Sequence, residues 1–177
     1  MVRAAVERCD LLASARSVSL VSELPATPVP VMMDRGKIIQ VFCNLISNAI
    51  KFSPAGATVR VGARRTGDGA EAWVTDFGQG MHPADLAQLF RRSASGLHRG
   101  PHGEAGTGLG LAIVTAVLRL HHGTIRVTTE PGKGSTFSFT LPRRPPVLAT
   151  PVTLSPGATG SSVGSRSRKR ARDLHAK

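Results

Sequence analysis

The chain has 177 residues, 41% of them hydrophobic and only 4% aromatic, so the expectation is one folded domain with appendages and a core of aliphatic side chains. Its net charge of +12 would ordinarily point to a polyanionic partner, but residues 143–177 hold eight basic residues and one acidic residue, which leaves +5 for residues 1–142. The longest apolar run, residues 109–118, falls well short of the roughly 20 needed to cross a bilayer, and Arg3, Glu7, Arg8 and Asp10 break any signal-peptide core.

Residues 1–16 place Val2, Val6, Cys9 and Leu12 or Ala13 at helical spacing. Residues 17–22 alternate Val18 and Leu20 with serines, which reads as a half-buried strand, and a second short strand is expected at 29–33. Asp34 then stands where a helix N-cap belongs. Ile38, Ile39, Phe42, Leu45, Ile46 and Ala49 recur with the helical period until Ser53-Pro54 stops the run. Residues 58–65 and 71–76 read as antiparallel strands joined by Gly67-Asp68-Gly69, a turn whose glycines would tolerate positive φ. Pro83 suits the first turn of a short helix ending near Phe90. Residues 93–107, rich in Ser, Gly and His without apolar period, are expected to be mobile. A second long helix over 108–121 closes at Gly123. A last hairpin pairs 124–129 with 135–141 across Pro131-Gly132-Lys133-Gly134. Beyond Pro142 the composition cannot bury enough apolar area to offset ordering, so residues 146–177 are expected to be disordered.

Cys9 and Cys43 lie in apolar, helix-like contexts without metal-ligand spacing, so neither a disulfide framework nor a zinc site is indicated, and a reducing cytoplasm fits.

Three stretches carry chemistry. Gln40, Asn44, Asn48 and Lys51 form a polar stripe on the first long helix. An Asn carboxamide oxygen there suits a hard cation, and Asn48 is the candidate ligand for Mg²⁺; a solvated helix face is the competing reading. Asp76-Phe77-Gly78-Gln79-Gly80-Met81 ends a strand with a carboxylate and two glycines, which lets backbone approach a flat ligand, though a plain turn would look the same. Gly106-Thr107-Gly108-Leu109-Gly110-Leu111 passes from loop into helix, where exposed amides favour phosphate. A dinucleotide fingerprint would need a strand before it, so Rossmann chemistry is disfavoured.

In this order NLISNAIKFSP, DFGQGM, GTGLGLAIV and PGKGSTFSFTLP resemble the ATP-binding catalytic domain of sensor histidine kinases, part of the superfamily shared with gyrase, the ninety-kilodalton heat-shock chaperone and the mismatch-repair ATPase. The resemblance covers about residues 15–142 and implies a two-layer α/β (α+β) sandwich, a mixed, mostly antiparallel sheet packed on helices in the Bergerat manner. It implies ATP and Mg²⁺ as ligands. Asn48 would hold the metal, Asn44 and Lys51 would lie along the phosphates, and Phe52 would pack near the nucleoside. Asp76 would take the adenine amine, Gly78 and Gly80 would shape the base pocket, and Met81 closes that stretch. Gly106, Gly108 and Gly110 would form lid hinge and phosphate cradle, with Thr107, Leu109 and Leu111 in the same nucleotide-binding segment. Thr136 would support Asp76 and an adenine-side water. Hydrolytic members carry a glutamate where this chain has Asn44, which cannot act as a general base near neutral pH. Slow hydrolysis and phosphoryl transfer follow, with Asn44, Lys51 and a lid arginine, Arg92 or Arg99, as candidate catalytic groups; either arginine reads equally as a solvated surface charge.

The chain departs from the family in three places. The phosphoacceptor motif is missing, and His82, His98, His102, His121, His122 and His175 all fall in lid, loops, helix end or tail. Ser93 replaces a usual phenylalanine before the lid, and His122 a usual glycine. Residues 1–16 look like the end of a histidine-bearing helical hairpin, residues 17–142 like the catalytic domain, and 143–177 like a basic tail. The expected partners are a histidine-bearing dimerisation domain in trans and, through it, a response regulator. No membrane contact is expected. A nucleotide-binding module without kinase activity is the alternative, and nucleic-acid binding through residues 166–172 (RSRKRAR) is a third reading.

Overall fold

The computed structural model describes residues 1–92 and 109–144. They lie within Met1–Val147, the first of the two units into which the chain divides; the second, Leu148–Lys177, falls outside the described residues, as does the segment 93–107 read above as mobile.

The first helix, α1 (Val2–Ala15), buries Val2, Ala5, Cys9 and Ala13. Of the two alternatives left by the sequence, Ala13 faces inward and Leu12 stays exposed. A turn at Ser17, whose φ is +54°, leads into β1 (Ser19–Glu23). The strand expected at 29–33 does not form, and residues 24–34 carry no regular structure. Pro25, Pro28 and Pro30 have no N–H to give a ladder, and the segment is tied down instead by the Met32 amide donating to the Arg143 carbonyl at 3.2 Å.

Helix α2 (Arg35–Phe52) starts as read: Asp34 Oδ1 accepts from the Lys37 amide at 3.0 Å, and this bond holds the Asp34 carboxyl below its ordinary range. All six apolar positions read from its period are buried, with Val41 and Ile50 beside them. Each such side chain contributes roughly 1.5–3 kcal/mol when fully removed from water. Phe42 meets Phe139 edge-on with ring centroids 5.1 Å apart. At the far end the Ser53 hydroxyl donates to the Ala49 carbonyl at 2.7 Å and closes the helix.

The sheet continues with β2 (Thr58–Arg65) and β3 (Gly69–Asp76), which starts two residues earlier than its apolar pattern suggests. Gly67 and Gly69 do not take positive φ. Gly69 is required instead by crowding, since a Cβ there would sit 2.1 Å from the Leu141 carbonyl oxygen. Helices α3 (Pro83–Arg92) and α4 (Leu109–Leu120) precede the final hairpin of β4 (Thr124–Glu130) and β5 (Gly134–Pro142). The strand order is β1-β2-β3-β5-β4. Only the β1–β2 pair is parallel, and α2 makes the crossover between those strands. Val59, Val61, Ala72, Val74, Phe139 and Leu141 point from the sheet into one core with α1, α2 and α4. This is the mixed two-layer α/β sandwich that the motifs implied.

Helix α4 ends in a turn at His121-His122, where His122 takes a φ of +54° and the Gly123 amide donates to the Leu118 carbonyl at 2.9 Å. His122 thus occupies the left-handed position that glycine usually fills. Gly123 is needed for another reason: a Cβ would lie 2.3 Å from the Thr140 carbonyl oxygen. His121 Nδ1 bonds the Val117 carbonyl at 2.8 Å and so must be the protonated nitrogen. Its Nε2 accepts from the Asp34 amide at 3.0 Å, which ties the end of α4 to the start of α2.

Candidate active site

Asp76 ends β3 on the helix-facing side of the sheet and is 5% exposed. Its Oδ1 accepts from the Gly78 amide at 3.0 Å and the Ser135 amide at 3.2 Å. Both bonds fall on one oxygen, so the carboxyl is fixed in orientation while Oδ2 receives neither amide. Burial raises its pKa above the ordinary value, and the two amides oppose that rise.

The walls around this carboxyl are backbone. A Cβ on Gly78 would stand 2.1 Å from the Phe52 carbonyl oxygen at the end of α2. Gly80, with φ of +63°, lies so close to β4 that a Cβ would stand 2.0 Å from the Glu130 carbonyl oxygen. Gly134, with φ of +97°, presses on the Asp76 carbonyl at 2.1 Å from its own would-be Cβ. Gly78 and Gly80, expected to shape a base pocket, both stand where backbone approaches closely, and Gly134 does the same. The Met81 amide donates to Thr129 Oγ1 at 2.9 Å, and Thr129 donates in turn to the Gly134 carbonyl at 3.0 Å. A hydroxyl has one proton, so the 3.0 Å contact between Thr129 and Ser135 is a bond donated by Ser135.

Thr136 does not support Asp76. Facing residues in an antiparallel pair share one side of the sheet, and Asp76 faces Ser135 while Thr136 faces Thr75. The Thr136 hydroxyl accordingly meets that of Thr75 at 3.0 Å on the opposite side of the sheet. Ser135 holds the position assigned to Thr136.

Along α2 from this point run Phe52, Lys51, Asn48 and Asn44. Lys51 Nζ lies 5.4 Å from the centroid of the Phe52 ring. Asn44, Asn48 and Lys51 are half-buried, whereas Gln40 at the head of the stripe is exposed. Asn44 Nδ2 is the one buried side-chain polar atom without a hydrogen-bond partner among the described residues. An amide group left so costs about 1–3 kcal/mol unless a ligand satisfies it. Asn44 looks across at the first turn of α4, its Oδ1 standing 3.7 Å from where a Cβ on Gly110 would lie. The eight-residue rise from Phe52 back to Asn44 spans about 12 Å of helix, with a buried carboxyl at one end and an unsatisfied amide beside a helix N-terminus at the other.

Leu109 is exposed, and Leu111 turns its side chain into the hydrophobic core. Gly106, Thr107, Gly108 and Arg99 lie outside the described residues, as does the side chain of Arg92 at the end of α3. A cavity of about 770 Å³ is lined by Gly67, Asp68, His122, Pro142, Arg143 and Arg144 at the opposite end of β3. It is a shallow surface feature, and size alone does not mark the site.

The comparisons with known proteins agree with this geometry. The model of the histidine kinase-, DNA gyrase B- and HSP90-like ATPase family matches residues 33–145. The sensor-like histidine kinase SenX3 of Mycobacterium tuberculosis is 38% identical over 142 residues, which is 80% of this chain and 34% of SenX3. The chain thus spans about a third of that relative's length. Among solved structures, the mycobacterial sensor histidine kinase MprB superposes with a TM-score of 0.65 at 29% identity, over 81% of this chain and 95% of the other. Full-length ShkA, solved in complex with AMPPNP, gives a TM-score of 0.66 at 28% identity, over 80% of this chain and 29% of ShkA. By the family model and these likenesses, the chain belongs to the histidine kinase-, gyrase- and HSP90-like ATPases and carries the catalytic domain of their sensor-histidine-kinase branch.

Proposed function

We propose that this domain binds Mg²⁺-ATP between α2, α4 and the Asp76 slot and transfers its γ-phosphoryl group to a histidine outside the chain. The observation that carries the reading is Asp76, a carboxyl kept buried and oriented by two amides at the mouth of a slot walled by main chain. Oδ2 is suited to accept from the exocyclic amine of adenine, while Gly78 and Gly80 leave room for the flat base.

At the other end, the unsatisfied Asn44 Nδ2 is a donor that a phosphate oxygen would satisfy. The half-buried Asn48 and Lys51 offer a neutral oxygen for Mg²⁺ and a positive charge for phosphate, and these donor types fit a metal that keeps most of its waters. When bound, Mg²⁺ would neutralise charge on the triphosphate. Lys51 and the amides opening α4 would position the phosphates. Asn44 cannot take a proton from water, so the domain holds ATP for transfer rather than hydrolysing it quickly.

His121 is engaged through both ring nitrogens in joining α2 to α4, which argues against its being the acceptor. In this reading α1 continues from a histidine-bearing hairpin, transfer occurs in trans, a response regulator receives the group, and the domain works in the cytoplasm; among the described residues no helix is long and apolar enough to cross a membrane. The basic tail serves as a solubilising appendage, with nucleic-acid contact the weaker reading.

Calorimetric titration with a non-hydrolysable ATP analogue tests the proposal. The wild type should bind more tightly with Mg²⁺ than without. Asn48→Ala should bind equally weakly in both conditions. Absence of any heat at millimolar analogue with Mg²⁺ would overturn the reading.

A further inference from the structure

Helices α2 and α4 run antiparallel and meet at two separate places. At the first, Asn44 of α2 faces Gly110 in the opening turn of α4. The three atoms nearest to a Cβ built on Gly110 all belong to Asn44, at 3.7, 3.8 and 3.9 Å, so the space between them would just hold a methyl group. At the second, the Asp34 amide at the head of α2 donates to His121 Nε2 at 3.0 Å, just past the last residue of α4. Gly110 lies roughly 16 Å along α4 from His121, and Asn44 roughly 15 Å along α2 from Asp34, so the two helices stay in step over this length. Both halves of the second contact are locked to their own helix. The His121 ring is held on α4 by its Nδ1 bond to the Val117 carbonyl at 2.8 Å, and Asp34 is held on α2 by its carboxylate, which accepts from the Lys37 amide at 3.0 Å.

We propose that His121 is a positioning residue for the phosphate end of the site: its bond to Asp34 sets the register of α4 against α2, and with it the gap between Asn44 and the amides that open α4. The proposal rests on the reading that phosphate binds in that gap. Between the two meeting points the helices present buried apolar side chains, Val41 and Leu45 on α2 and Val114 and Leu118 on α4. Such packing is non-directional, so it resists separation of the helices better than a slide along their axes. A hydrogen bond between two groups, each fixed to its own helix, opposes that slide because its strength depends on distance and angle. The narrowness of the gap makes register matter. A slide of about 1.5 Å, the rise of a single residue, would carry the first amides of α4 away from the oxygen that the unsatisfied Asn44 Nδ2 is placed to bind. The slot at Asp76 is built from β3, β4, the turn before β5 and the last residue of α2, without any part of α4, so it does not depend on this bond. A histidine that served only to close α4 would need its bond to Val117 and no other; the second bond crosses to the helix that carries the asparagines.

The test uses the full chain as wild type, His121→Asn and His121→Gln. The asparagine carboxamide nitrogen stands near the place of Nδ1 and keeps the bond to Val117 without reaching Asp34. The glutamine carboxamide oxygen extends about as far as Nε2 and can accept from the Asp34 amide. Each protein is titrated with a non-hydrolysable ATP analogue plus Mg²⁺ and, separately, with adenosine, which carries no phosphate; chemical shifts in NMR spectra follow affinities into the millimolar range. Partial loss of the folded state lowers the apparent affinity for both ligands by the same factor, so the ratio of the two dissociation constants reports on the phosphate end alone. His121→Asn should bind the analogue roughly 3- to 30-fold more weakly and adenosine as wild type does, and His121→Gln should restore the wild-type ratio. A wild-type ratio in His121→Asn, whether both affinities hold or both fall together, would overturn the proposal and leave the nucleotide reading standing, as would failure of His121→Gln to restore the ratio. Wild-type protein that binds neither ligand would overturn that reading and this proposal with it.

Discussion

Asp76 is a carboxyl that the fold buries, and burial works against its charged form. Among the described residues no cation lies beside its carboxyl, and its raised pKa means that the folded state disfavours the charged form. That cost is absent below the ordinary value near 3.8, sets in as pH rises through it, and is complete above the raised folded value. Asp76→Asn keeps an oxygen for the Gly78 and Ser135 amides while removing the charge. The variant should therefore melt higher than wild type at pH 7 and equally at pH 3, as read by calorimetric melting curves. It should bind ATP analogues roughly 10- to 100-fold more weakly, the loss of one charge-assisted hydrogen bond. Stability gained with affinity lost identifies a residue kept for its ligand. At this scale the sequence was readable for Asp76 and Gly78 but not for Ser135. Thr136 and Ser135 are neighbours, and which of them shares a side with Asp76 depends on strand register, which only the completed β3–β5 pairing fixes.

Among elements, α2 was the most legible because its apolar period persists for 18 residues between a capping aspartate and a serine-proline stop. The failed strand at 29–33 shows the limit of short apolar runs: Val29, Val31 and Met33 alternate well, yet flanking prolines leave too few donors for a ladder. The two-residue early start of β3 has a similar origin, since Gly69 and Ala70 carry no apolar signal while their backbones pair with Pro142 and Leu141. At the end of α4 an exposed non-glycine residue holds a left-handed conformation, which costs about 1 kcal/mol. His122→Gly should release that strain, raise the melting temperature by roughly 2–4 °C in thermal denaturation, and leave nucleotide affinity unchanged.

Over the whole molecule, the proposed reading assigns adenine and phosphate to groups on one helix and its flanking strands, with the acceptor histidine supplied in trans. Mixed with a separate histidine-bearing hairpin domain and labelled ATP, the chain should transfer acid-labile label to that histidine, and Asp76→Asn should reduce the initial rate at least 10-fold at subsaturating ATP. Nucleotide binding without any transferred label across cognate candidates would favour the non-catalytic module instead. The motifs made this organisation readable because each pairs a side chain with a backbone demand. The slot at Asp76 has a pharmacological consequence. Its lining comes from the main chain of α2's last residue, β4's end and the turn before β5, so a competitive inhibitor seated there would meet atoms that no codon change can swap. Resistance by substitution at Gly78, Gly80 or Gly134 would first have to displace the backbone that, in the proposed reading, accommodates the cell's own nucleotide.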